Sequence, residues 1–164
     1  MKKIIIAIIM IIAMLSLVAC GGETAETNDK NDAAENVSTV NMQEVYDSYA
    51  SYLPDMVILE EKAMMNQYGV DAAKCKQVIV ANCSDGLKSD EIWLIEAVDA
   101  TAAAEIAELA QGRIDREKEE TQNYAPDQFA IVEKAEIIED GNNVVLIISP
   151  DVDTLVDLYN DAKA

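Results

Sequence analysis

The chain has 164 residues, with 12 lysines and arginines against 31 aspartates and glutamates, and its formal net charge at pH 7 is −19. A surface this acidic repels the phosphate groups of nucleic acids, which argues against a nucleic-acid-binding protein. The chain has no histidine. It therefore lacks the commonest general base and cannot form a Ser-His-Asp or Cys-His catalytic site by itself.

The first 19 residues have the features of a secretory signal peptide. Lys2 and Lys3 give a positively charged start, and a mostly isoleucine run follows over residues 4–15. This run is shorter than the about 20 apolar residues that a membrane-spanning helix needs. No stop-transfer charges follow it, so we predict that residues 1–19 are removed on secretion.

Leu17-Val18-Ala19-Cys20 resembles the lipobox of bacterial lipoproteins. The chemistry requires a cysteine, because its sulfur forms the thioether to diacylglycerol. We predict cleavage between Ala19 and Cys20, a diacylglycerol anchor on Cys20, and a location on the outer face of the cell membrane. An ordinary signal peptide with an incidental cysteine, or a single-pass anchor, is the alternative.

The composition of residues 20–39 predicts a tether between the lipid and a folded domain. This segment is acidic, has no aromatic residue and contains almost nothing large and apolar. Such a composition cannot bury enough apolar surface to offset the entropy of ordering. We predict a flexible spacer over residues 20–39 and a single domain over residues 40–164, a length that suits one hydrophobic core.

The pattern of apolar residues in this domain predicts both helices and strands. Asn41 and Asp99 precede helical patterns as N-caps, and Gly69 follows one as a left-handed C-cap. Residues 55–59 are ambiguous between a short strand and the start of a helix. In chain order the predicted elements are helices over 42–53 and 60–68, strands over 77–84 and 91–98, a long helix over 100–122, a short helix from Pro126, strands over 135–139 and 144–148, and a last helix after Pro150.

The order strand, loop, strand, helix occurs twice, over residues 77–122 and 135–162. We interpret it as two β-β-α units in an α+β fold. They would form a four-stranded antiparallel sheet with helices on one face, preceded by one or two helices. The alternative is an ordinary α+β domain without a repeat. The long helix is strongly charged after Ile114, so its second half is predicted to project into solvent.

Cys75 and Cys83 are the cysteines that remain after Cys20. The residues between them are predicted to form a strand, which rises about 3.3 Å per residue. Bridged Cα atoms lie within about 7 Å of each other. The two cysteines are therefore predicted to be small packed residues without a disulfide.

The acids Asp85, Asp90 and Glu91 surround a loop that contains a glycine. Calcium favours several oxygen ligands, but the spacing of these acids does not match the Asp-x-Asp-x-Asp-Gly calcium loop. We interpret them as solvated turn acids and assign no metal ligands and no catalytic residues. Arg113 is expected to pair with Glu117 at helical spacing, with an acidic partner protein as the alternative.

Trp93 lies within a strand pattern, where packing in the core is its expected role.

Several short motifs, in addition to the lipobox and the acidic tether, resemble those of a known family. They are Tyr68-Gly69-Val70-Asp71, residues 90–97, Arg113 in the long helix, Tyr124-Ala125-Pro126, Gly141-Asn142 and Ser149-Pro150-Asp151. They are similar to a family of small cell-envelope lipoproteins, mostly from Gram-positive anaerobes, catalogued as domain of unknown function 4358. The resemblance covers about residues 54–162 and implies an extracytoplasmic α+β domain. It supplies no active-site residues.

The sequence therefore favours a non-enzymatic binding or accessory module on the membrane, with an envelope protein as its expected partner. Two alternatives stay open. The acidic charge suggests a domain that binds divalent cations, and the many carboxylates suggest an envelope hydrolase with two acids across a cleft. No cofactor is expected apart from the diacylglycerol on Cys20.

Overall fold

The structure, a computed structural model, describes residues 40–164. The predicted signal peptide (residues 1–19), the cleavage site between Ala19 and Cys20, and the acidic tether (residues 20–39) lie outside the described residues and stay predictions. None of the helices within residues 40–164 combines the length and the apolar character that crossing a membrane requires.

The described chain contains five helices, five strands and one short 3-10 turn. In order they are α1 (Met42–Tyr49), β1 (Met56–Ile58), α2 (Glu61–Tyr68), the turn Ala72–Lys74, β2 (Cys75–Cys83), β3 (Glu91–Ala97), α3 (Ala100–Thr121), α4 (Pro126–Val132), β4 (Glu136–Asp140), β5 (Asn143–Ile148) and α5 (Val152–Ala162).

Three helix ends are fixed by the residues that the sequence indicated. The side chain of Asn41 accepts hydrogen bonds from backbone N–H groups in the first turn of α1. Asp99 accepts one from the N–H of Ala102 at the start of α3, at 2.8 Å. Gly69 ends α2 with a φ of 77°, a left-handed conformation that glycine adopts without steric cost. These three predictions are confirmed.

The strands form one antiparallel sheet in the order β1-β2-β3-β5-β4. The predicted α+β class with an antiparallel sheet is confirmed, but the prediction of four strands is wrong by one. The additional strand β1 lies in the segment that the sequence left ambiguous. It forms through pairing with β2, and the N–H of Leu59 extends the pairing to the carbonyl of Val80 at 2.8 Å. Three residues are too few for alternation to identify a strand.

Helices cover both faces of the sheet, so the prediction of helices on one face is wrong. On one face α2, α3 and α4 pack against residues such as Trp93 and Leu146. On the other face α1 and α5 pack against residues such as Leu94 and Ile147. The central strands β3 and β5 are buried at every position, so both of their faces need a hydrophobic cover.

The two β-β-α units share an order of elements but not an arrangement. The hairpins β2-β3 and β4-β5 meet through their inner strands. However, α3 covers one face of the sheet and α5 covers the other. A rotation that places one hairpin on the other leaves the two helices on opposite sides, so the units are not superimposable copies.

Cys75 and Cys83 stand at the two ends of β2, and both are free and half-buried. The prediction that they do not form a disulfide is confirmed. The thiol of Cys75 donates a hydrogen bond to the carbonyl of Asp71 at 3.4 Å. Burial raises the pKa of this thiol, and the charge of Asp71 adds to the rise.

Candidate functional site

A buried ion pair joins the long helix to the centre of the sheet. Glu91 opens β3 and is only 1% exposed. The Nε atom of Arg113 lies 3.1 and 2.9 Å from the two carboxylate oxygens of Glu91, and Nη2 lies 2.8 Å from one of them. The indole N–H of Trp93 donates to the same carboxylate at 2.7 Å. Both oxygens of Glu91 are therefore bound by protein donors.

A second carboxylate lies on the other side of the guanidinium. Glu117, one helical turn after Arg113, accepts from its Nη1 at 2.6 Å. The Ser89 hydroxyl donates to Glu117 at 2.8 Å. The guanidinium also lies 5.3 Å above the ring of Tyr68, a cation–π arrangement. We call Tyr68, Glu91, Trp93, Arg113 and Glu117 the Glu91 cluster.

The charges of the Glu91 cluster interact in a largely buried environment. Burial raises the pKa of Glu91, while hydrogen bonds and charge from Arg113 and a hydrogen bond from Trp93 oppose the rise. Burial also disfavours the charged form of Arg113, but Glu91 and Glu117 raise its pKa further above its ordinary value. Arg113 therefore stays charged, and the cluster holds the start of β3 against α3.

A cavity of about 360 Å³ opens at the end of the sheet where β3 begins and β5 ends. Four segments meet there: the residues after α1, the end of the loop before β3, one side of α4 and the residues before α5. The lining residues are Ser51, Tyr52, Leu53, Pro54, Lys88, Asp90, Gln128, Ile131, Pro150 and Asp151. We call this the end cavity.

Asp90 contributes a buried carboxylic acid to the end cavity. The residue is only 6% exposed. Burial raises its pKa, a hydrogen bond from its own backbone N–H and the charge of the nearby Lys88 oppose the rise, and the charge of Asp151 adds to it. Lys88 and Asp151 are exposed at the rim of the cavity. The charged side chains that line the cavity thus comprise two acids and one base.

Ser89 connects the Glu91 cluster to the end cavity. Its hydroxyl binds Glu117, and its backbone N–H donates to the side-chain carbonyl of Gln128 at 2.9 Å. Gln128 lines the cavity. Three consecutive residues therefore have different surroundings: Ser89 binds α4, Asp90 faces the cavity and Glu91 binds α3.

The model of a known family matches residues 48–149, which include the Glu91 cluster and eight residues of the cavity lining. Its description is Domain of unknown function (DUF4358). The chain belongs to this family. Searches among curated proteins and among solved structures gave no match. The match ends before Pro150 and Asp151, so the rim that precedes α5 lies outside it.

The acids of the β2–β3 loop of this DUF4358 domain do not behave alike. Asp85 is exposed and accepts from the N–H of Leu87 at 3.0 Å, as expected of a turn acid. Asp90 and Glu91 are buried, so their interpretation as solvated acids is wrong. Trp93 is fully buried, which confirms its expected core role.

The predicted projection of the long helix into solvent is also wrong. Arg113, Glu117 and Thr121 turn inward, and the pairing of Arg113 with Glu117 is confirmed. The signal was present in the sequence: the inward positions Ala110 and Ile114 are continued by Glu117 and Thr121 at spacings of three and four. A polar residue in that stripe indicates a buried polar partner, which for Glu117 is Ser89 in the loop before β3.

A second groove, of about 640 Å³, lies between α3 and β4. Its acids Glu108, Glu136 and Glu139 are exposed and hydrated, unlike Asp90. Within residues 40–164 no group of three or more cysteine, aspartate and glutamate side chains is arranged to hold a metal ion. The end cavity is therefore our candidate site in the DUF4358 domain.

Proposed function

We propose that this protein is a lipid-anchored, extracytoplasmic binding module that works without catalysis at the outer face of the cell membrane. The anchor is proposed from the charged start, the apolar run and the Cys20 lipobox. Binding is proposed from the end cavity, whose volume falls in the range of ligand pockets and which presents one buried acid in a lining of both polar and apolar residues.

The Glu91 cluster has a structural role in this proposal. Its central carboxylate already accepts hydrogen bonds from Arg113 and Trp93, so a substrate would have to displace protein donors to reach it. The cluster instead fixes the loop that carries Asp90. A preformed binding site needs its functional group on a rigid support, and here the Glu91 cluster supports Asp90.

One observation favours a carboxylate hydrolase as the second candidate. Asp90 and Asp151 line the same cavity, and burial raises the pKa of Asp90, as a general acid requires. If purified protein released soluble products from cell-wall material, and Asp90→Asn abolished the release, the non-enzymatic proposal would be wrong. Asp157→Asn, which removes an exposed acid of α5, is the matched control.

Lipid attachment is tested by labelling growing cells with an alkyne analogue of palmitate. The wild type and Cys75→Ala should carry the label, whereas Cys20→Ala should lose it. Labelling of Cys20→Ala at the wild-type level would overturn the anchor. Proteolysis of intact cells should remove the domain if it faces outward.

Binding at the end cavity is tested by photo-crosslinking in living cells. A photoreactive amino acid replaces Tyr52, a lining residue that is 42% exposed, or Tyr124, a residue outside the lining that is 90% exposed. A small-molecule adduct at position 52 alone supports the proposal. A crosslinked envelope protein at position 52 would instead support an accessory role, and equal products at both positions would contradict a specific site.

A further inference from the structure

Asp90 brings a carboxylate into the end cavity, and the hydrogen-bond donor of that carboxylate is the backbone N–H of Asp90 itself. Among residues 40–164 it takes part in none of the salt bridges, and no other residue donates a hydrogen bond to its carboxylate. Yet the residue is 94% buried by area, since its exposure is 6%. A carboxylate can accept several hydrogen bonds, so a buried one whose donor is its own backbone N–H favours a further donor from outside the protein.

The backbone around Asp90 is held in place on both sides. The Ser89 N–H and hydroxyl bind Gln128 and Glu117, and Glu91 binds Arg113. The carbonyl of Asp90 itself accepts from the N–H of Cys83 at 2.9 Å. The backbone at Asp90 cannot move without the loss of these bonds. The cavity therefore presents the carboxylate in a fixed place.

The charge around Asp90 selects the sign of a ligand. Asp151 adds a second negative charge at the rim, and Lys88 is the basic residue of the lining. Lys88 and Asp151 are both exposed, so solvent screens both of these opposite charges, and the buried Asp90 supplies the remaining negative charge of the lining. A ligand that presents a positive charge to Asp90 gains electrostatic attraction there, and an anionic ligand is repelled.

We infer that the end cavity binds a protonated primary amine on a short aliphatic body, with the Asp90 carboxylate as the counter-charge. The inference rests on the proposed binding function and names its ligand class. An alkylammonium group offers three N–H donors to a carboxylate. The aliphatic body would lie against Leu53, Ile131 and Pro150, which give the cavity its apolar walls.

A divalent cation fits this site less well than an amine. Calcium takes six to eight oxygen ligands and magnesium needs near-octahedral coordination. The lining supplies the carboxylates of Asp90 and Asp151, and no group of three acids or cysteines is arranged for a metal within the described residues. An ammonium group needs no such coordination shell, and Asp90 supplies its counter-charge and an acceptor for its N–H groups.

The test is an NMR titration of the full-length protein, labelled with ¹⁵N and ¹³C and purified in a non-ionic detergent. The probes are n-pentylamine, 1-pentanol of the same length without the charge, and calcium chloride. Pentylamine should shift the amide signals of residues 51–53 and 88–90 in a saturable manner. Pentanol should bind at least about tenfold more weakly than pentylamine, because it lacks the charged donor that binds the carboxylate.

Variants separate Asp90 from the general acidity of the surface. Asp90→Asn keeps the shape of the side chain and should weaken pentylamine binding about tenfold or more. Asp157→Asn removes the same charge from an exposed position outside the lining and should bind as the wild type does. Unchanged binding by Asp90→Asn, equal binding of pentanol, or a response to calcium without one to pentylamine would overturn the inference.

The wild type alone provides a further readout in case Asp90→Asn fails to fold. Pentylamine should lower the pKa of the Asp90 carboxyl, followed through its ¹³C signal, because the bound cation favours the ionised form. An unmoved pKa would overturn the inference. The proposed function fails separately: a crosslinked cavity ligand without an amine would contradict this inference and leave the binding module intact.

Discussion

Arg113 donates hydrogen bonds to both carboxylate oxygens of Glu91, at N–O distances of 2.8 to 3.1 Å, and so joins α3 to the first residue of β3. The pair lies on one face of the sheet, whereas the preceding residue, Asp90, lines the end cavity. An interaction that stabilises the core thereby also fixes the acid of the candidate site.

Glu91→Gln is expected to destabilise the protein strongly. The amide keeps the shape of the side chain but leaves the Arg113 guanidinium buried without its counter-charge. We expect a loss of about 3 kcal/mol in the free energy of unfolding, measured by urea denaturation. The control is Glu105→Gln, which breaks the exposed Lys74–Glu105 pair and should leave the free energy of unfolding nearly unchanged. Similar losses in the two variants would show that burial does not strengthen the Glu91 pair.

Gln77→Leu is expected to release the first helix. The side-chain carbonyl of Gln77 accepts from the N–H of Met42 at 3.0 Å, and its amide donates to the carbonyl of Val40 at 2.9 Å. Leucine leaves both backbone groups unpaired, which costs about 1 to 3 kcal/mol. Hydrogen exchange should accelerate in α1 more than in β3, which lies in the centre of the sheet.

The matched control for this prediction is Gln111→Leu. Gln111 is exposed on α3 and binds Asp115 of the same helix at 2.9 Å. Its loss should leave exchange in α1 unchanged. Uniform acceleration across the domain in Gln77→Leu would contradict a local role for Gln77.

The sequence predicts most elements well because their signals are local. The long helix is predicted over residues 100–122 and observed over Ala100–Thr121, with Asp99 as its cap. The placement of helices on both faces depends on where chain segments cross, which periodicity does not contain. The burial of Asp90 and Glu91 has the same origin. Their environment is created by α3 and by the residues before α5, far away in the sequence.

Tyr49→Phe is expected to stabilise the protein. Tyr49, the last residue of α1, is fully buried in the core that α1 and α5 form with the sheet, and its hydroxyl has no hydrogen-bond partner among the described residues. Removal of an unpaired buried hydroxyl should increase the free energy of unfolding by about 1 kcal/mol at pH 7. Tyr124→Phe, at a residue that is 90% exposed, should change it by about 0.5 kcal/mol or less. A destabilised Tyr49→Phe would reveal a partner for the hydroxyl.

Tyr159 is expected to make the protein sensitive to alkali. Burial, together with the charge of Asp140, raises the pKa of Tyr159 from 10.0 to about 12. Between these two values the unfolded chain loses the phenolic proton while the folded protein retains it. Stability therefore falls as the pH rises from 10 to 12, by roughly 2 to 3 kcal/mol for this residue.

Urea denaturation at pH 9 and pH 11.5 should show a smaller loss in Tyr159→Phe than in the wild type. Tyr52→Phe, which removes a partly exposed hydroxyl, should follow the wild type. If Tyr159→Phe lost as much stability as the wild type, ionisation of other groups would account for the alkaline unfolding.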